Sequence, residues 1–136
     1  MLKALKKQGV LMILPDQAPR LNSGIYSPFF GHPAYTMTLL HKFIQKTDAM
    51  LLVGTCLRDS SGNGFNISIT EAEFETSNVS PEDFNKNLNN KLEDLIRKNP
   101  SQYLWGYKRF KRQPTGCELY LDEIKRREKL EKRAPN

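Results

Sequence analysis

The sequence contains few of the residues from which metal sites and disulfide frameworks are built. Its 136 residues include only two cysteines and two histidines. Cys56 and Cys117 lie far apart, and no Cys-x-x-Cys or Cys/His ligand spacing occurs, so we expect no zinc site. The two cysteines could form one disulfide, but two reduced thiols are expected in a chain that faces the cytosol.

Long hydrophobic runs are also absent from the sequence. The longest uninterrupted aliphatic runs are residues 10–14 and 49–53, far below the roughly 20 residues that a membrane span requires. Lys3, Lys6 and Lys7 precede the first run, but it is too short for a secretory signal and no small-residue cleavage site follows. We therefore predict that no segment crosses a bilayer.

Apolar spacing predicts one mixed α/β domain over residues 1–114 and a basic, charged tail over residues 115–136. The domain begins with the end of a helix over residues 2–8, which Gly9 closes. Residues 10–14 then form a short apolar run bounded by a proline, which is typical of a buried strand. Within the tail, residues 120–133 predict a short exposed helix.

Two amphipathic helices are predicted further along the chain. Apolar residues recur at helical spacing over residues 36–47, and His41 lies away from this stripe, so we expect a solvated histidine. Ser80 and Pro81 are typical of a helix start, and the apolar stripe that follows ends by Pro100. The acidic residues of this second helix, among them Glu93, are expected on its solvated face.

A β-hairpin is predicted between these helices. Residues 50–57 and 64–74 form the two strands, and residues 59–64 form the turn, where Asn63-Gly64 supplies positive φ at low cost. A phosphate-binding loop is the alternative for this glycine-rich stretch. That alternative is disfavoured because the Lys-Ser/Thr ending of a P-loop is missing and no helix follows.

The most informative stretch follows the predicted strand over residues 10–14. Pro15 ends the apolar run and brings Asp16, Gln17 and Arg20 into a loop, which ends at residues 27–31. Ligands gather beyond the carboxyl ends of buried strands, so polar groups fixed in this loop are well placed to hold a substrate. A plain surface turn is the alternative, since Pro-Asp and Ala-Pro are turn dipeptides.

Two blocks of this sequence resemble one enzyme family. Leu-Pro-Asp-Gln-Ala-Pro-Arg at residues 14–20, with Phe-Phe-Gly at residues 29–31 and Pro-Ala-Tyr-Thr-Met-Thr at residues 33–38, resembles the carboxyl half of the bacterial lipid A biosynthesis (lauroyl/myristoyl) acyltransferases. Residues 100–111 resemble the segment near the C-terminus of that family. The resemblance runs from about residue 2 to residue 114. It implies the C-terminal portion of a glycerolipid-acyltransferase-like sheet flanked by helices.

The catalytic motif of the wider glycerolipid acyltransferases is a His with an Asp or Glu five positions later. The carboxylate orients the imidazole, which removes a proton from the acceptor hydroxyl as it attacks an acyl thioester. Five residues after His32 lies Met37, and five after His41 lies Lys46. We therefore expect no catalytic residue here and interpret the chain as a C-terminal fragment, whose N-terminal half is missing or comes from a neighbouring polypeptide.

The resemblance implies that a fatty acyl chain passes from acyl carrier protein to a hydroxyl of the lipid A precursor, at the cytoplasmic face of the inner membrane. It implies no metal or diffusible cofactor. Asp16 would orient polar groups of the acceptor or the catalytic histidine loop, and Arg20 would bind a phosphate or carboxylate of the acceptor. Gln17, Phe30 and Gly31 would shape the pocket.

Positive charge is concentrated towards the C-terminus. Residues 108–133 contain ten basic and five acidic residues, which gives +5 of the chain's net +6. Four of these basic residues, interleaved with aromatic ones, suit an anionic membrane surface or the acidic acyl carrier protein. They are Lys108, Arg109, Lys111 and Arg112.

We expect these four basic side chains to be exposed and the neighbouring Tyr103, Leu104 and Trp105 to be buried in the core. Nucleic-acid binding by phosphate neutralisation is disfavoured because no recognition motif accompanies the charge. The rival to an enzyme is a non-catalytic module, either a degenerate acyltransferase remnant or a basic membrane or nucleic-acid binder.

Overall fold

The computed structural model describes residues 1–115 and residue 120. The predicted tail, including Cys117 and most of the helix expected over residues 120–133, therefore lies outside the described residues. Helices and strands both occur, which confirms a mixed α/β chain. The elements are α1 (Leu2–Leu5), β1 (Gly24–Phe29), β2 (His32–Met37), α2 (Leu39–Thr47), β3 (Leu52–Arg58), β4 (Phe65–Glu71), α3 (Pro81–Lys98) and a 3-10 turn (Pro100–Gln102).

Strands β1 and β2 form an antiparallel hairpin where the sequence had predicted only a loop. The register pairs Phe29 with His32, so Phe30 and Gly31 form a two-residue turn. Both turn residues have positive φ, 49° and 76°, as a type I′ hairpin turn requires. Pro28 faces Pro33 across the hairpin. Prolines argue against a central strand, but each strand of a two-stranded sheet is an edge and tolerates them.

The prediction of a buried strand over residues 10–14 is wrong. These residues form no strand in the structure. Val10, Met12 and Leu14 have exposed fractions of 91%, 92% and 59%. An extended segment becomes a strand only when a neighbour pairs with its amide and carbonyl groups, and the described part of the chain offers this segment no such neighbour.

Helix α2 begins three residues later than predicted because residues 32–37 belong to β2. The expectation of a solvated His41 is also wrong. His41 is buried, and its Nε2 donates to the Val79 carbonyl at 2.9 Å. Its ring also packs on that of Phe84, with centroids 5.4 Å apart. The chain leading into α3 covers the side of α2 that the helical spacing had assigned to solvent.

Helix α3 matches its predicted start and its apolar stripe. The Ser80 hydroxyl accepts from the Asp83 amide at 3.0 Å, which caps the first turn. Phe84 and Leu88 pack with Ile44 of α2, while Ile96 packs with Phe29 and Ala34 of the β1–β2 hairpin. Helix α3 therefore spans two apolar clusters and joins α2 to the hairpin.

The β3–β4 hairpin confirms the predicted pair of strands and the turn between them, but the positive φ expected at Asn63-Gly64 is wrong, because the turn has it at Gly62 (76°). In the turn, the Asp59 amide donates to the Gly64 carbonyl and the Gly62 amide to the Asp59 carbonyl, both at 2.9 Å. Every residue of β4 is exposed, including Phe65, Ile67 and Ile69. Among residues 1–115 and residue 120, no helix has the length and hydropathy that a membrane span needs.

Candidate functional site

The two blocks that carry the family resemblance meet in space. We call residues 15–20 the Asp16 loop and residues 103–113 the C-terminal segment. The Ala18 amide donates to the Tyr107 hydroxyl oxygen at 2.8 Å, across 89 residues of sequence. The Arg112 guanidinium donates to the Pro19 carbonyl, across 93 residues. The C-terminal segment thus holds the backbone of the Asp16 loop at two consecutive residues.

Arg109 anchors the C-terminal segment to the β1–β2 hairpin. Its Nη1 donates to the Tyr35 carbonyl at 2.7 Å and its Nη2 to the Thr36 hydroxyl at 2.8 Å. The side chain is 3% exposed, so the expectation of an exposed Arg109 is wrong. Its hairpin acceptors replace water, and its guanidinium lies over the Phe29 ring at 5.4 Å. Burial lowers the pKa of Arg109, an effect that Tyr103, Asp16 and Tyr107 oppose.

A buried polar network fixes the hairpin to α3. The Asn89 side-chain amide donates to the Pro28 carbonyl at 2.8 Å and to the Thr36 hydroxyl at 3.2 Å. Asn85, one turn earlier, donates to the Thr36 carbonyl at 3.5 Å. Neither asparagine was predicted from the sequence. The available signal was their four-residue spacing directly beside the apolar positions Phe84 and Leu88, which places them on the buried side of the helix.

Glu93 holds the hairpin turn instead of lying on a solvated face, so that expectation is wrong. Its Oε1 accepts from the Phe30 amide at 2.7 Å, and its side chain is only 15% exposed. Because a type I′ turn presents its amides outwards, a carboxylate on the facing helix is a suitable acceptor. Arg97 lies over the Phe30 ring at 4.9 Å and so covers the turn from the solvent side.

Asp16 lies in the same corner as Tyr103, Tyr107 and Arg109: its charge acts on Tyr103 and Arg109, and Tyr107 bonds to Ala18 two residues later. The Tyr103 hydroxyl is buried, and burial is the largest reason that its pKa rises to about 12, followed by the negative charge of Asp16. The Asp16 carboxylate is close enough to act on the phenol, although the Tyr103 hydroxyl has no formed hydrogen bond within the described residues. One carboxylate, two phenols and one guanidinium therefore share this corner of the molecule.

The other predicted pocket residues are distributed around this cluster. Phe30 contacts Trp105 with ring centroids 5.7 Å apart, and Trp105 contacts Tyr103 at 4.9 Å. An aromatic row thus joins the hairpin turn to the residue that faces Asp16. Gln17, Arg20 and Gly31 are exposed. The structure thus brings Phe30 towards Asp16 through aromatic contacts and leaves these three residues at the surface.

In the C-terminal segment, the aromatic and leucine side chains were predicted to be buried and the basic ones to be exposed, and the structure differs on both points. Leu104 and Trp105 are 70% and 57% exposed, so their expected burial is wrong. Trp105 Nε1 donates to the Pro100 carbonyl at 2.7 Å, which holds the indole against the 3-10 turn near the surface. Arg112, tied to Pro19, is half-buried, as is Lys111. Lys108 alone of the four basic residues is exposed.

Two clefts elsewhere in the structure are separate from this cluster. One, of about 360 Å³, lies between the residues before β3 and those after β4. The other, of about 530 Å³, lies between the β3–β4 turn and the 3-10 turn, and Cys56 and Arg58 are in its wall. Neither cleft is lined by a residue of the Asp16 loop.

Burial of the Tyr103 phenol predicts a loss of stability at alkaline pH. The folded chain holds the pKa of Tyr103 at about 12, against 10.0 for a free phenol. Below pH 10 both states keep the proton. From about pH 10 to about pH 12 the unfolded chain releases it first, so the free energy of unfolding falls.

Denaturant midpoints across this pH range should therefore decrease less in Tyr103→Phe than in the wild type. Tyr26→Phe is the matched control, because the hydroxyl of Tyr26 lies in an exposed bond to the Gln113 carbonyl. An equal decrease in Tyr103→Phe and the wild type would contradict the assignment.

Comparison with known proteins gives this arrangement a family. Residues 1–112 match the model of the bacterial lipid A biosynthesis acyltransferases. The lipid A biosynthesis palmitoleoyltransferase of Escherichia coli is 29% identical over 120 residues, which are 87% of this chain and 39% of the relative. The lauroyltransferase of the same organism is 29% identical over 117 residues, 85% of this chain and 38% of the relative.

A more distant relative gives the same result. A lipid A biosynthesis acyltransferase of Haemophilus influenzae is 25% identical over 116 residues, 84% of this chain and 37% of the relative. The chain spans about two fifths of the length of the relatives it matches. Most of the chain nevertheless matches the family model. The match includes the Asp16 loop and all but the last residue of the C-terminal segment. The chain belongs to the bacterial lipid A biosynthesis acyltransferase family.

Proposed function

We propose that this chain forms the acceptor-side part of a lipid A late acyltransferase. The complete enzyme would transfer a fatty acyl chain from acyl carrier protein to a hydroxyl of the lipid A precursor, in lipopolysaccharide synthesis. One observation carries the proposal: Tyr107 and Arg112 bond to Ala18 and Pro19. The Asp16 loop and the C-terminal segment, about 90 residues apart in sequence, thus meet around the side chain of Asp16.

The residues of this corner suit the binding of a polar, phosphorylated acceptor. The carboxylate of Asp16 can accept a hydrogen bond from an acceptor hydroxyl or from the histidine loop of the complete enzyme. Arg20 lies at the exposed end of the same loop, where its guanidinium can bind a phosphate or a carboxylate through two parallel bonds. Gln17, Phe30 and Gly31 would shape the entrance.

We propose that the base of the reaction comes from outside these 136 residues. His41 is buried and bonded to the Val79 carbonyl. His32 is exposed and packs edge-on against Phe110, with ring centroids 5.9 Å apart. Neither has an Asp or Glu five positions later to orient it. The same outside residues would extend the sheet that the family implies and cover the exposed apolar side chains of residues 10–14.

Reconstitution tests this proposal. The chain is co-expressed with the part of the Escherichia coli lauroyltransferase that precedes its match to this chain. Acyl transfer from acyl carrier protein to a lipid A precursor is then measured. We expect activity from the pair, and its loss when the histidine of the added part's His-x-x-x-x-Asp/Glu motif is replaced by alanine. A stable but inactive pair would contradict the proposal. Reading the DNA upstream of the Met1 codon for a segment that encodes this motif gives an independent check.

Peripheral binding at the cytoplasmic face of the inner membrane is part of the proposal and gives a prediction. Arg109 and Arg112 are tied to the hairpin and the Asp16 loop, so Lys108 and Lys111 are the lysines of the described C-terminal segment left to meet anionic headgroups. The double variant Lys108→Gln/Lys111→Gln should weaken co-sedimentation with anionic vesicles. Added salt should weaken wild-type binding too, because screening limits the field to about 8 Å at physiological ionic strength.

The matched control for vesicle binding is Lys42→Gln/Lys86→Gln, which removes the same charge from two exposed positions on α2 and α3. It should bind as the wild type does. Salt-insensitive binding that survives the Lys108/Lys111 change would contradict the electrostatic account. It would instead indicate that the exposed apolar side chains of residues 10–14 and of β4 make the contact.

A further inference from the structure

Two buried donors beside Asp16 have no acceptor within residues 1–115 and residue 120. They are the Tyr103 hydroxyl and the Arg109 Nε. Buried donors are almost always satisfied in folded proteins, since each has given up its water for the interior. Because both donors lie near the Asp16 carboxylate, this carboxylate is the acceptor that best fits them.

The positions of both donors are fixed by packing. The Tyr103 ring packs against the apolar cluster of Phe29, Ala34 and Ile96. The two terminal nitrogens of Arg109 are held by Tyr35 and Thr36, which fixes the direction of its Nε–H. Neither donor atom can move towards another acceptor without losing these contacts.

The acceptor's backbone is fixed as well. Ala18 and Pro19, just after Asp16, are bonded to Tyr107 and Arg112. An aspartate has only two side-chain torsions, so the carboxylate on this tethered loop has few positions open to it, and we place it in the one that meets the phenol. One carboxylate oxygen has two lone pairs and can accept from both Tyr103 and Arg109 Nε, which would leave the second oxygen free.

We infer that Tyr103 is a positioning residue, whose hydroxyl donates to the Asp16 carboxylate and aims its second oxygen at the acceptor substrate. The contact itself concerns this chain alone, and only the aim at the acceptor rests on the proposed function. Arg109 supplies a neighbouring positive charge, and Tyr107 holds the loop. The rise in the pKa of Tyr103, for which the charge of Asp16 is the second cause after burial, agrees with the contact.

A double-mutant cycle on the isolated chain tests the contact at neutral pH. The unfolding constant is measured by denaturant titration for the wild type, Tyr103→Phe, Asp16→Ala and the double variant. We expect the double variant to deviate from additivity by more than about threefold, as residues in contact do. Tyr26→Phe combined with Asp16→Ala is the control and should be additive within about twofold. Additivity in both pairs would overturn the inference.

Titration of the phenol supplies a second, independent measurement. The tyrosinate absorbance of the wild type minus that of Tyr103→Phe isolates the signal of Tyr103. With Asp16→Asn, which removes the charge, the pKa of Tyr103 should fall below about 12 but stay above 10.0, because burial remains. An unchanged pKa would show that the two side chains do not interact.

The reconstituted enzyme then separates positioning from the proposed function. Tyr103→Phe should lower kcat at least about fivefold with little change in KM, and Tyr26→Phe should leave kcat unchanged. If the double-mutant cycle shows coupling between Tyr103 and Asp16 but Tyr103→Phe leaves kcat unchanged, the contact exists and its role in aiming the carboxylate is rejected. An inactive wild-type pair would count against the proposed function and leave the cycle and the titration as the test of the contact.

Discussion

The 136-residue chain alone is expected to transfer no acyl group from acyl carrier protein to a lipid A precursor. The reaction needs an oriented base to remove the acceptor's proton, and general acid-base assistance contributes about 10² to 10⁴ in rate. His41 is bonded to a backbone carbonyl in the interior. His32 is an exposed residue of the hairpin with Met37 in the place of the orienting carboxylate.

The measurement is product formation by purified chain, with reconstituted enzyme as the positive control. Transfer that depends on a residue of this chain would contradict the prediction, and His32→Gln and His41→Gln are the variants that would reveal it. His32→Gln is the cleaner of the two, because His41 is part of the packing between α2 and α3.

In the reconstituted enzyme, Asp16→Asn is expected to lower turnover at least about tenfold, equivalent to about 1.4 kcal/mol of transition-state stabilisation. The substitution keeps the shape of the side chain and removes its charge. The loop should stay in place, because its two tethers are backbone groups of Ala18 and Pro19. A loss of activity would then report the carboxylate itself.

Asp48→Asn is the matched control for this change. Asp48 is an exposed residue at the end of α2 with φ of 48°, a conformation that asparagine adopts readily, so the variant should be as active as the wild type. Arg20→Gln should also lower activity if its guanidinium meets a charged group of the acceptor. A silent Asp16→Asn with an intact fold would mean that the Asp16 loop is only a surface turn.

Short sequence signals were sufficient to predict those elements whose stabilising contacts lie within a few residues of each other. Ser80 and Pro81 marked the start of α3, and the glycine-rich stretch of residues 59–64 marked the β3–β4 turn, although its positive φ lies at Gly62 and not at Asn63-Gly64. Each signal works through hydrogen bonds and torsions within a few residues. The β1–β2 hairpin was missed although Phe30-Gly31 forms a two-residue turn, because Phe-Gly is not a typical type I′ dipeptide and prolines at positions 28 and 33 are unusual within strands.

Burial of charged side chains could not be predicted in the same way. Arg109 is buried by acceptors on β2, more than 70 residues earlier, and Glu93 is partly buried by the Phe30 amide, 63 residues earlier. Helical periodicity assigned Glu93 to solvent and the run of basic residues assigned Arg109 to solvent, because neither pattern has information about distant partners. The importance of Asp16 was predicted from the loop and the resemblance, but its neighbours Tyr103 and Arg109 emerged only from the packing of the C-terminal segment.

The bonds from Tyr107 and Arg112 to the Asp16 loop also determine when this corner can form during synthesis. A ribosome must add about 90 residues after Ala18 before either tether exists. Joining the Asp16 loop to residues about 90 positions later therefore costs more chain entropy than closing a local turn. Helix α3 and both hairpins can form while the chain is still emerging, since their contacts are short in sequence. The Asp16 corner is therefore assembled last, and a ribosome that stalls before residue 107 releases a chain with its hairpins complete and its Asp16 loop untethered.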